Sequence, residues 1–556
     1  MSENKSKLIA PLIGATVVIA GGVAAYLYFK GSIGGDAVSP LASAKIVPNN
    51  ALIAGSISTD PKAWYQLQQF GTPEAQKVIA QGLQDFNKQV LDESKINYEQ
   101  DIRPWLGNVM FAILPSSTAK NVQNSSKSTS APSILLVVGI KDKISAFNFD
   151  RKLKSDKKIT TKDSDYKGVK ISESTDQKGT TYTALLDNHL AISSDRKPVE
   201  LAIDTFKGQP SFATKEGATN LLSKGVDVKN SIAQFYLPDY GNAMQQLIAS
   251  NPNAAQLPAE TLKQLQQVKS VVMGVGIDND GIRMKALAKV DPTAIKLEYK
   301  PTAGKVVAQF PTDTLALISG QGISRYWSAA VEQAKTNPDT QKAFDQARKQ
   351  LKSSVNLDLD KDIFGWMDGE FAIAAIPSSQ GILAPVGFGG AFVFKTSDHA
   401  TAEATLSKLD AIAKGNSLTV AQREVQGKSV TEWQIPQQGA LLGHGWLDQE
   451  TVFLAVGGPV VDAIATKPTQ SLDNSDTFKA VTGSLQKPNA GYFYLDMDKT
   501  MAIVNRNLAQ TQPSSISPET SAILNSIRGI GMTATWPDSA TSQVEMLLAL
   551  KPKTAK

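Results

Sequence analysis

Three histidines, His189, His399 and His444, are the only imidazoles this chain offers for proton transfer or metal binding. Ligand histidines usually recur at short spacings on one turn or helix, and no two of these lie three to five residues apart. No H-E-x-x-H occurs. His189 is expected at a hairpin tip, His399 near the start of a helix and His444 beside glycines before a strand, all as exposed polar residues. Ser117 and Lys120 fit S-x-x-K, but they fall in a stretch rich in Ser, Thr and Asn where nothing would desolvate the lysine into a base. No G-x-S-x-G occurs, so a hydrolase elbow has no support. Gly274-Val275-Gly276 lies inside an apolar strand and opens no helix, which fails the context that dinucleotide binding requires.

Asp358, Asp360 and Asp362 alternate like the opening of a calcium loop. Position six would then be Ile363, where glycine is needed, and position twelve Gly369, where glutamate is needed. Asn97, Glu99 and Asp101 hold the matching places earlier in the chain. These residues are expected to cap a helix before Trp366. Trp105 and Trp366 are expected to seal the edges of two cores. The chain has no cysteine, which excludes disulfides, thiol nucleophiles and thiolate metal sites. The sequence therefore points to no catalytic residue, no cofactor and no metal site, and to a protein that is not an enzyme.

The elements around these residues come in two sets. The segment from Val47, VPNNALIAGSISTDPKAWYQLQQ, resembles FPTDTLALISGQGISRYWSAAVEQ from Phe310, and Pro48 matches Pro311. DIRPWLGNVMFAILPSS from Asp101 matches DIFGWMDGEFAIAAIPSS from Asp362, and Pro198 matches Pro459. The offset stays near 260 residues throughout, which argues for two homologous domains, 45–295 and 305–556, each long enough to bury its own core. Within the first, Ala51 to Ser58 alternates as a strand, Asp60-Pro61 starts a helix and Pro73 opens another. Apolar strands are expected at 108–114 and 134–140, and further strands near Val169, 182–186 and 189–193. One long helix is expected from Tyr240 to Gln267, then a hairpin around Asp278-Asn279-Asp280-Gly281. Hairpins with helices set apart indicate an α+β fold with mainly antiparallel sheets. The basic stretch from Lys141 to Lys178 is interrupted by acids and is expected to be a solvated helix face and a loop. A net charge of +5 over 556 residues is too mild to argue for nucleic acid.

The run from Leu8 to Phe29 carries no charge. Its 22 residues would span about 33 Å as a helix, enough for a bilayer core of about 30 Å. It is expected to be an uncleaved transmembrane anchor, preceded by a cytoplasmic tail, 1–7, and followed by a flexible tether, 30–44. Lys5 and Lys7 before the span favour a cytoplasmic N-terminus and an exported bulk.

An apolar N-terminal run, a proline-led NNAL strand and D-I-x-x-W-L-G before an apolar strand together resemble an uncharacterised bacterial family common in cyanobacteria, domain of unknown function 3352. The motif residues are Asp101, Trp105 and Gly107, with Asp362, Trp366 and Gly369 as counterparts. The resemblance brings no known activity, substrate or cofactor. It implies a plasma or thylakoid membrane, with the bulk in periplasm or lumen. Two functions fit: a non-catalytic scaffold or assembly factor meeting membrane-protein partners, or a carrier for a lipid, pigment or other apolar ligand. A sheet face lined with apolar residues would favour the second. The expected topology predicts that protease added to right-side-out vesicles digests the soluble part; full protection would overturn it.

Overall fold

The computed structural model describes residues 39–86, 98–115, 132–155, 159–176, 179–219, 222, 226–250, 259–292, 300–335, 337–511 and 516–553. Among them, no helix is long and apolar enough to cross a membrane. The expected anchor, 8–29, and the Ser117/Lys120 pair lie outside the described residues. The chain divides into two compact units that part between Asp291 and Pro292, with short C-terminal pieces, 540–542 and 552–556, grouped with the first. Both combine helices with antiparallel sheet, an α+β arrangement.

In the first unit the sequence opens with helix α1 (Pro40–Ala44), capped by the Ser39 hydroxyl, which accepts from the Ala42 N–H. These residues were expected in the tether. Instead Ala44, Ile46 and Val47 are core residues, because proline at the first turn and a serine cap stabilise a helix that buries them. Strands β1 (Ile53–Ile57), β2 (Leu106–Leu114) and β3 (Ser133–Ile140) follow, with α2 (Pro61–Tyr65) and α3 (Pro73–Phe86) between β1 and β2. Asp60 caps α2 as expected, accepting from the Lys62 N–H. Helix α4 (Lys143–Lys154) leads to a meander of β4 (Thr160–Tyr166), β5 (Val169–Asp176), β6 (Gly179–Leu186) and β7 (His189–Ser193). Asp187, at φ 54°, makes the tight turn between β6 and β7.

After α5 (Arg196–Phe206) come β8 (Ser231–Leu237), α6 (Tyr240–Ala249), α7 (Ala259–Gln267), β9 (Val268–Ile277) and β10 (Gly281–Val290). The strand order is β4-β5-β6-β7-β3-β2-β1-β8-β9-β10, every pair antiparallel. Two expectations are corrected here. The stretch after α4, expected as loop, forms β4, a strand that among the described residues pairs with β5 alone and has no buried position, so polar residues suit it. The helix expected over 240–267 is two helices packed on each other: a Cβ on Gly241 would lie 2.9 Å from the Gln266 Cα. Pro252 and Pro258 lie between them, where the interior of a continuous helix would lose hydrogen bonds.

The second unit contains β11 (Ala316–Gln321), α8 (Ile323–Ala334), α9 (Pro338–Val355), β12 (Glu370–Pro377), β13 (Phe388–Lys395) and α10 (His399–Gly415). Its meander is β14 (Thr419–Val425), β15 (Lys428–Ile435), β16 (Gly439–Trp446) and β17 (Thr451–Val456). Helices α11 (Gly458–Ala465) and α12 (Asp476–Thr482), β18 (Tyr492–Asp496), α13 (Met497–Thr511), α14 (Pro518–Asn525), β19 (Ile527–Asp538) and β20 (Thr541–Leu550) complete it. The order β14-β15-β16-β17-β13-β12-β11-β18-β19-β20 repeats that of the first unit strand for strand. The likeness extends to loops: Pro48 bridges Ser211, and Pro311 bridges Ser471.

One sheet face in each unit carries the main core. In the second unit, Leu317, Ala372, Ala374, Val393, Phe453 and Tyr494 pack there against Val460, Val461 and Ile464 of α11 and Phe478 and Val481 of α12. The D-I-x-x-W motif is architectural in both units. The Trp105 indole donates to the Asp101 carbonyl at 2.7 Å, and the Trp366 indole to that of Asp362 at 2.7 Å. Both rings are buried, Trp105 against Phe149 and Trp366 against Phe394.

The glycine that follows each tryptophan sits against a carbonyl. A Cβ on Gly107 would lie 2.6 Å from the Gly139 oxygen, and one on Gly369 would lie 2.4 Å from the Lys395 oxygen. Gly369→Ala is therefore expected to cost about 1–3 kcal/mol through forced backbone movement. A lowered urea midpoint would show it; an unchanged midpoint would refute the close-packing account.

Candidate functional site

The histidines stand apart, and two are not exposed. His189, the first residue of β7, is 8% exposed, and its Nε2 has no hydrogen-bond partner. Burial lowers its pKa, with Asp187 opposing the shift. His444 is 5% exposed, beneath α10, where its Nε2 lies 2.8 Å from Asp410 Oδ1. The Trp433 indole donates to the same oxygen at 2.7 Å. His399 stacks on Trp446 at 3.9 Å, and the Trp446 indole donates to Glu403. The expectation of exposed histidines fails for His189 and His444 because both strands place the ring in the packed interior, His444 under α10, which local sequence does not reveal. Glu403 and Asp410, seven residues apart on α10, accept indole N–H groups from β16 and β15, so this cluster fastens a helix to a sheet.

The aspartates act as caps. Asp358 accepts from the Asp360 and Lys361 N–H groups at the start of the wide helical turn Leu359–Gly365, as expected. Asp360 binds Arg348 and the Trp327 indole, and the ring of Trp327 stacks on Phe364 at 4.2 Å. Asp362 accepts from the Asp358 N–H at 2.8 Å and pairs with Lys408 at 3.2 Å. Among the described residues no group of His, Cys, Asp and Glu could hold a metal ion. In the first unit Asp101 pairs with Lys152, while Asn97 and Glu99 fall where side chains are not described. Gly274 and Gly276 lie within β9 as expected; a Cβ on Gly276 would lie 2.2 Å from the Lys229 carbonyl, so close packing accounts for the pair. A groove of about 520 Å³ on the first unit is lined by Pro48, Asn49, Leu201, Asp204, Gln209 and Lys215 among others, and its Asp204 is engaged by Lys167 and the Tyr166 hydroxyl.

The feature that no motif announced is the other face of the second unit's sheet. Register places Met532, Phe493, Ile318, Ile373, Phe392 and Leu454 side by side on six adjacent strands, β19, β18, β11, β12, β13 and β17. At one end Ala402 and Leu406 of α10 cover the sheet, together with Trp366, and leave Phe392 and Leu454 partly buried. The middle is open. Ile318 is 53% exposed and Ile373 49% exposed, and Phe388, Val456 and Met532 are exposed too. A Cβ on Gly390 would meet nothing within 4 Å.

The same row in the first unit is Met273, Phe235, Gly55, Phe111, Leu136 and Ile192, and none of these is exposed. There Phe111 and Phe235 meet over Gly55, ring centroids 5.5 Å apart, and a Cβ on Gly55 would lie 2.7 Å from Phe235. Sequence reasoning missed this surface because runs such as FAIAAIP are apolar on both faces, which is the pattern of a strand covered on both sides.

This is an antiparallel α+β protein with an apolar sheet face. It belongs to the family described as "Protein of unknown function (DUF3352)", which matches residues 12–550. No curated protein matches the chain. Among solved structures, crystal form IV of TP0453 is similar at 9% identity and a TM-score of 0.26, covering 46% of this chain and 81% of that one. Crystal form III of TP0453 is similar at 8% identity and a TM-score of 0.25, covering 48% of this chain and 84% of that one.

The Asp358 N–H, with Lys408 beside it, holds the Asp362 carboxyl below its usual pKa. A group whose folded pKa is depressed contributes stability above its unfolded pKa, and that contribution is lost as pH falls through the folded value. Asp362→Asn is therefore expected to lower the urea midpoint at neutral pH, with a loss that shrinks as pH falls below about 4. An equal loss at every pH would overturn this.

Proposed function

We propose that this is a membrane-anchored, exported, non-catalytic protein built by duplication of one α+β unit, in which the second unit holds an apolar ligand of the lipid or pigment class. The observation that carries this reading is the open row through Ile318 and Ile373. Covering two half-exposed isoleucines would contribute about 1 kcal/mol each, so the rest of the row must supply most of the roughly 8 kcal/mol that micromolar binding needs. The shared strand order and the 260-residue offset support duplication. The closed phenylalanine pair over Gly55, against the open face around Ile318, supports a structural first copy and a working second copy. The scaffold reading would place an apolar segment of a membrane protein on the same face.

The test is organic extraction of the purified protein with mass spectrometry, followed by titration with a fluorescent fatty acid. Ile318→Asp and Ile373→Asp are expected to weaken binding about tenfold or more, and to leave the urea midpoint nearly unchanged because both sites are exposed. Unaltered affinity in both variants, with no co-purified apolar molecule, would sink the ligand reading. Crosslinks from this face to one membrane-protein subunit would favour the scaffold.

A further inference from the structure

We infer that helix α4 of the first unit docks on the surface of an anionic bilayer. Its inward stripe is Ala146 and Phe149, which pack on the core around Trp105 and Val138. Its outward stripe is Ile144, Phe147 and Arg151, spaced three and four residues apart. Ile144 is 74% exposed and Phe147 is 62% exposed, and no large apolar residue among those described is more exposed than these two. Leu185 is also exposed, on the strand next to Leu190, which α4 covers. A helix with a second apolar stripe facing solvent and basic residues around it suits the boundary between headgroups and acyl chains. From Lys141 to Lys154 the sequence has five basic residues and two acidic ones, and Asp187 and Asp101 pair with Lys143 and Lys152, which leaves a local net of 5 − 4 = +1. Each basic residue near an anionic surface contributes about 1 kcal/mol.

The fold does not require this stripe. Asp142 and Asp398 cap the corresponding helices of the two units. Counting from these caps, the second unit has Ala400, Glu403 and Ser407 where the first has Ile144, Phe147 and Arg151. Glu403 there accepts the Trp446 indole, so that position serves the sheet instead of solvent. Position along the chain identifies the occupant. This inference rests on the anchor reading: residues 30–38, nine in number, separate the span from Ser39, and fully extended they reach about 30 Å. The first unit is thereby confined next to a bilayer.

The chain has no cysteine, so one introduced thiol is a unique labelling site. Full-length Asn148→Cys, carrying an environment-sensitive fluorophore, would be reconstituted in phosphatidylcholine vesicles with and without phosphatidylglycerol. Ala404→Cys, the corresponding site of the second unit, is the control. The expected result is a blue-shifted emission from the Asn148→Cys label, quenched by spin-labelled lipid only when phosphatidylglycerol is present, and weakened at high salt. The control label stays in water. Adding Ile144→Ser and Phe147→Ser is expected to abolish the shift while the urea midpoint holds. Water-like emission in anionic vesicles, or a blue shift without lipid quenching as a protein contact would give, overturns the proposal. Carbonate extraction tests the anchor separately: a protein that strips from the vesicles yet shows the quenched label before extraction refutes the anchor and keeps the docking.

Discussion

A strand with apolar side chains on both faces cannot leave both in water, and this constraint organises each half of the molecule. The central strands bury one face against paired helices: in the second unit α11 and α12 cover Leu317, Ala374, Phe453 and Tyr494. The opposite face has only partial cover. Helix α10 reaches Phe394 and Val452 at one end, and α4 does the same over Val138 in the first unit. What remains of that face must be filled from within or left for something else.

The two units answer differently. In the first, a glycine at position 55 lets two phenylalanines from neighbouring strands meet over it, which removes most of their area from water without help from outside. In the second, Ile318 takes the glycine's place and Ile373 that of Phe111; neither is long enough to cover the other. An exposed apolar row across six strands is more than the scattered apolar residues of an ordinary surface. The corresponding helices diverge in the opposite sense: α4 keeps an apolar outward stripe, while α10 uses Glu403 and Asp410 to bind indole groups. The same frame thus presents its apolar surface on a helix in one copy and on a sheet in the other.

The motif that recurs in both units serves this frame. Aspartate, tryptophan and glycine recur because the indole closes onto the aspartate carbonyl four residues back, and the glycine then lets the entering strand approach its neighbour's carbonyl. At the glycines, backbone approach leaves no room for a Cβ. The carboxylates that alternate at Asp358, Asp360 and Asp362 have the same character: each is spent on N–H groups, a guanidinium or an ammonium of its own unit.

Much of the fold was legible in the sequence. Caps at Asp60 and Asp358 and the closing hairpin at Asp278 are local, because a side chain reaching its own backbone needs no distant partner. The α+β class followed from period and spacing. Tertiary structure decided the rest. It made β4 a strand through pairing with β5, broke the 240–267 stretch into two packed helices, and buried His189 and His444. It also decided which apolar residues are covered: FAIAAIP reads alike on both faces, and only the packing of helices on one face, with none among the described residues over Ile318 and Ile373, tells them apart. Alternation fixes which residues share a face; what lies above that face depends on segments tens or hundreds of residues away, and no local pattern records it.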